Sequence, residues 1–123
     1  MKNTPTYDIS VSENDGIIEV VITGEVADHY VDKMEQEVQD ILKPMNPKKL
    51  LADIRSLKIK HSITDTYIRV RKYPPLLHIK TAVLDIPEHA DFQSFHETTA
   101  RNAGIPMKSF IDIHKAREWL KNK

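Results

Sequence analysis

The chain has no cysteine among its 123 residues. That excludes disulfides, thiolate catalysis and cysteine-ligated zinc, and it fits a reducing compartment. Glycine is scarce: Gly16, Gly24 and Gly104 stand apart, so no glycine-rich loop cradles a nucleotide phosphate. No apolar run reaches the length of about 18 residues that marks a membrane-spanning helix. The N-terminal MKNTPTYDIS lacks the apolar core of a signal peptide. Aromatic residues make up only 7%, with few evident for stacking on bases, so nucleic acid is not an expected partner. These absences leave a cytoplasmic protein, read as one domain over 1–123 with an ordered core from about 7 to 121.

What is present is 40% hydrophobic and 29% charged, a globular composition. The net charge is zero but unevenly spread. Residues 1–54 carry 5 Lys/Arg against 11 Asp/Glu, and residues 55–80 carry 7 against Asp65 alone. A basic block of that kind can attract an anionic partner, or it can simply offset the acidic first third.

Tyr7, Ile9 and Val11 alternate with polar residues, the period of a half-buried strand. Asn14-Asp15-Gly16 supplies a tight hairpin turn, and Ile17–Thr23 reads as a second strand stopped by Gly24. Asp28 is placed to cap a helix whose Val31, Met34, Val38, Ile41 and Leu42 face inward, ended by Pro44 and Pro47. Lys49–Asp53 reads as a central parallel strand, followed by a loop to His61 and a helix over Ser62–Tyr73 stopped by Pro74-Pro75. Ile79–Asp85 is the next strand. Pro87 opens a helix with Phe92, Phe95 and Thr99 on its inner face and Gly104 at its end. A strand over Met107–Ile111 precedes a last helix, capped by Asp112, with Ile113, Ala116 and Leu120 inward and Trp119 beside them. The order is β-β-α-β-α-β-α-β-α, an α/β chain with an N-terminal hairpin and a mixed sheet. Functional loops in such sheets lie beyond the carboxyl ends of parallel strands, here 53–61 and 85–89.

Chemistry of an enzymatic kind is hard to find. His96-Glu97-Thr98-Thr99-Ala100 begins like a zinc-protease motif, but Ala100 occupies the second ligand position. His89 and His96 are two helical turns apart, and no G-x-S-x-G elbow occurs. No enzyme, metal or cofactor is expected. Ser62 suits a helix N-cap, with Asp65 three residues on as its partner. The 57–77 segment holds more apolar residues than one buried stripe needs, including Ile59, Ile63 and Tyr67. They either cover the sheet or form a movable basic-amphipathic flap, lining an apolar pocket together with Phe92 and Phe95. Arg55, Lys58, Lys60, Arg69, Arg71 and Lys72 would give that flap an anionic surface to meet.

The segments ITGEV at 22–26, KKLLADIRSL at 48–57, KTAVLDIPEHADF at 80–92 and FIDIHKAREWL at 110–120, in this order, resemble the SpoIIAA-like branch of the STAS superfamily. The resemblance covers nearly the whole chain from about Tyr7. It implies a STAS-like fold and a non-enzymatic role, like the anti-sigma-factor antagonists, exercised through a protein partner. It also places Ser62 where the antagonists carry a phosphorylated serine, although His61-Ser62-Ile63-Thr64 lacks the aspartate, second serine and glycine of their motif. The alternative implied by the wider branch, which resembles the CRAL-TRIO carriers, is a carrier of a nonpolar ligand that touches anionic membranes. Either role fits a monomer or weak dimer.

Overall fold

Asp15 (φ 54°) and Gly16 (φ 81°) both adopt the left-handed conformation that closes a two-residue hairpin. They join β1 (Thr6–Asn14) to β2 (Ile17–Val26), antiparallel, with Asn14 opposite Ile17 and Val11 opposite Val20. The computed structural model describes residues 6–26, 30–59 and 79–122. Helix α1 (Val31–Leu42) and a 3₁₀ turn (Lys43–Met45) lead to β3 (Lys49–Asp53) and the short β4 (Leu57–Ile59). Then come β5 (Lys80–Leu84), a 3₁₀ turn (Pro87–His89), α2 (Ala90–Asn102), β6 (Met107–Phe110) and α3 (Ile113–Lys121).

The sheet runs β1-β2-β3-β5-β6, with β4 also on β2. Among the described residues only the hairpin is antiparallel; β2, β3, β5 and β6 are parallel neighbours. The apolar runs of β3 and β5 are adjacent and interior, as their composition requires: both faces of such strands are covered. On one face Ile18, Val20, Ile22 and Leu50 pack with Val31, Met34 and Leu42 of α1. On the other, Leu51, Ala82 and Leu84 pack with Ala116 and Leu120 of α3. Ala100 of α2 meets Ile105, with Met107 packed beside them.

Helix α3 is fixed by more than apolar contact. Asp112 caps it as expected, accepting from the backbone N–H of His114 at 2.8 Å and of Lys115 at 3.3 Å. Arg117 forks onto Glu19 of β2, Nε to Oε2 at 2.7 Å and Nη2 to Oε1 at 2.9 Å. At the other end Lys80 donates to the carbonyl of Trp119 at 2.7 Å, where an ammonium group favours a helix C-terminus.

Several expectations are corrected. Gly24 (φ 108°) does not stop β2. It marks where β2 changes partner, from β3 at Ile18–Val21 to β4 at Gly24–Val26. Residues 57–59 are therefore a strand, not open loop. Helix α1 has Tyr30 at its N-cap position, with Asp28 outside the described residues, and Ile41 is 41% exposed rather than inward. On α2, Thr99 is buried as expected, together with Gln93 and Ala100, while Phe95 is only half-buried and the Phe92 side chain lies outside the description. The last strand ends at Phe110, leaving Ile111 62% exposed. The helix expected over 62–73 lies outside the described residues.

Candidate functional site

Two polar clusters form at the carboxyl ends of the parallel strands, where the topology places functional loops. The first follows β3. Asp53, 8% exposed, accepts from Arg55 three times: from its backbone N–H at 3.2 Å and from Nε at 3.0 Å on Oδ1, and from Nη2 at 2.8 Å on Oδ2. Burial by itself would raise the Asp53 carboxyl. The hydrogen bonds and charge of Arg55 outweigh it and hold the group below the usual carboxylate range. The turn that results is tied to the sheet by Ile54 N–H on the Leu84 carbonyl and Gly24 N–H on the Ser56 carbonyl. β4 then resumes the lane beside β2, with exposed Lys58 paired in register with Glu25.

The second cluster follows β5. Asp85 is 3% exposed. Its Oδ1 accepts from the Ile86 N–H at 2.8 Å and from His89 Nδ1 at 3.0 Å; its Oδ2 accepts from Gln93 Nε2 at 2.6 Å. A carboxylate only accepts, so His89 carries its proton on Nδ1 in this contact. One strand-end carboxylate thus fixes the 3₁₀ turn and the first turn of α2 together. One helical turn beyond Gln93, Glu97 Oε2 accepts from the Ser109 N–H of β6 at 2.7 Å and from the Ser109 hydroxyl. Between α2, β6 and the start of α3 lies a cleft of about 450 Å³, whose lining includes Asp85, Gln93, Glu97, Ser109, Phe110 and Ile111.

The residues singled out from sequence are only partly brought together. Arg55 and Lys58 lie near each other after β3, but the charge of Arg55 is matched by Asp53. Ile59 ends β4 and Phe92 lies on α2, their side chains outside the description. Ser62, Ile63, Tyr67, Lys60, Arg69, Arg71 and Lys72 lie outside the described residues. Sequence reasoning missed Gln93 and Ser109 as parts of a cleft. The four-residue spacing of Gln93 and Glu97, one face of a helix, was the available signal.

No family model matches the sequence, and no curated protein is similar to it. Solved structures are similar. An anti-sigma factor antagonist from Mycobacterium paratuberculosis superposes with a TM-score of 0.65 at 14% identity, covering 95% of this chain and 96% of its own. An uncharacterized protein of the DUF3478 family with a SpoIIAA-like fold, from Shewanella loihica PV-4, gives 0.56 at 19% identity, with 98% of both chains covered. With an N-terminal hairpin feeding a parallel sheet that carries helices on both faces, the described residues have a SpoIIAA-like fold.

Proposed function

We propose that the chain is a single-domain, non-enzymatic regulatory module that acts by binding a protein partner, in the manner of an anti-sigma factor antagonist. The observation that carries this reading is the end-to-end match to such an antagonist, with neither chain holding a large part that the other lacks. The turn after β3 and the short β4 support it: ion-paired and hydrogen-bonded to the sheet, with Lys58 exposed on β4, they are a surface held ready rather than one that must be ordered on binding. A phosphate on Ser62, four residues after Lys58 and two after Lys60 in the sequence, would add negative charge to this basic stretch and so change what it binds.

The test is direct mixing of the purified chain with each purified anti-sigma factor of its source organism, followed by light scattering on a sizing column. A defined complex, weakened by Lys58→Glu, is expected; no complex with any of them would overturn the reading. Native mass spectrometry of the chain from its own source examines the carrier alternative, in which Ile59, Ile63, Tyr67, Phe92 and Phe95 would hold a nonpolar ligand. A copurified lipid mass would bring that alternative forward. Contact with anionic membranes is examined by vesicle sedimentation with Lys58, Lys60 and Arg71 reversed, since Arg55 is already paired.

A further inference from the structure

The sheet ends in β1 on one side and β6 on the other, and among the described residues no further strand pairs with either. On β6 the carbonyls of Pro106 and Phe110 accept from the Thr81 and Asp85 N–H groups of β5. Backbone groups alternate sides along a strand, so Met107 and Ser109 turn theirs outward. The Ser109 N–H is already taken. Glu97 of α2 reaches over the edge, and its Oε2 accepts that N–H at 2.7 Å together with the Ser109 hydroxyl. A carboxylate on a backbone N–H is a strong, charge-assisted bond. β1 carries no such cover: its nine residues pair one to one with β2, without bulge, proline or lysine, the devices that usually blunt an edge. Asn14 and Ile17 close a two-residue turn and form a hydrogen-bonded pair, so Tyr7, Ile9 and Val11 turn their backbone groups outward.

The two edges are complementary. The only charge on β6 is Lys108, which is exposed, and β1 presents exposed Asp8. β1 runs against the other strands, so two copies in the same orientation would bring β6 and β1 together antiparallel. With Lys108 opposite Asp8, the alternation sets Met107 beside Ile9 and Ser109 beside Tyr7. Both members of those pairs turn their backbone groups outward, as a ladder needs. The faces also continue. Ile9 packs on the face that α1 covers, and Met107 lies on that same face, since Phe110, three residues on, packs on the opposite one under α3. Because the two surfaces differ, the contact does not close and can repeat from copy to copy. We propose that β6 is a docking edge for β1 of a second copy, and that Glu97 keeps it shut by holding the Ser109 N–H, so that the sheet does not extend head to tail.

Light scattering on a sizing column, over rising concentrations of the full chain, tests this. Strand addition must give up the Glu97 bond, so Glu97→Ala should associate about tenfold or more tightly than the original chain. Its mass should climb with concentration past that of a dimer. Glu97→Gln keeps an oxygen for Ser109 and should behave as the original chain does. Adding Asp8→Lys to Glu97→Ala should abolish the growth, because like charges then face each other across the new pair, and adding Lys108→Asp as well should restore it. Glu97→Ala at the mass of the original chain overturns the proposal. So does growth that stops at a dimer, growth that Asp8→Lys leaves unchanged, or equal growth of Glu97→Gln. Should Glu97→Ala fail to fold, Glu97→Asp decides: it keeps the charge but falls one methylene short of Ser109, and it should grow in the same way.

Discussion

Replacing Arg117 with Met should unfold the chain far more readily than replacing its partner Glu19 with Met. Glu19 is 7% exposed on β2, on the face where Ile17 and Leu51 pack under α3. Arg117→Met leaves that carboxylate buried without its two donors, and removing one partner of a buried pair costs about 3–5 kcal/mol. Glu19→Met leaves Arg117, whose side chain is 30% exposed and can turn its head to water, so the cost falls to about 1 kcal/mol. The double variant replaces the pair by two apolar side chains of fitting length and should lie within about 1 kcal/mol of the original chain. The two single costs therefore do not add. Urea titration reads this through the fluorescence of Trp119, the sole tryptophan, whose ring packs 5.7 Å from that of Phe110. Equal costs for the two single variants, or a double variant as unstable as their sum, would refute the reasoning. Either result would mean that the pair acts as a surface ion pair.

Three further outcomes follow from local chemistry. Gly16→Ala meets no atom within 4 Å but must hold φ +81°, so it should lower stability by about 1 kcal/mol in the same titration. The Asp53 carboxyl is depressed in the folded chain, so its contribution is present above the ordinary aspartate value and lost on acidification through the lower folded one; Asp53→Asn should flatten that part of a melting-temperature profile between about pH 2 and 6. Burial and the hydrogen bond to Glu37 raise the Tyr7 phenol to about 12, so its stabilisation is complete below the ordinary tyrosine value near pH 10 and is lost as pH rises through about 12. Absorbance titration should show one of the four tyrosines ionising last, and Tyr7→Phe should remove that step.

The hairpin was legible because Asp15 and Gly16 carry their backbone preference with them. The interior strands β3 and β5 were legible because a strand covered on both faces reads as a continuous apolar run. Asp112 was legible because a cap acts within three residues. Gly24 misled because a glycine within a strand pattern and a glycine ending one look alike; here the residue lets β2 turn from one partner to the next. β4 shows the right alternation, buried Leu57 then exposed Lys58, but three residues are too few to establish a period.

The inner face of α2 was legible only in part: Thr99 is buried as expected, Phe95 is half-buried, and the polar Gln93, which hydrophobic periodicity would place outward, is buried. Polar side chains are buried there because each has its own partner: Gln93 donates to Asp85, and the Thr99 hydroxyl donates to the Phe95 carbonyl one turn back. Asp53 with Arg55, and Glu19 with Arg117, follow the same rule at other points of the sheet. A pair two residues apart, such as Asp53 with Arg55, can be guessed from sequence. Gln93 with Asp85, eight apart, and Glu97 with Ser109, twelve apart, depend on how the helix returns across the strand ends. The same hydrogen bonds that anchor α2 decide which oxygen of Gln93 and of Glu97 is left without a donor among the described residues.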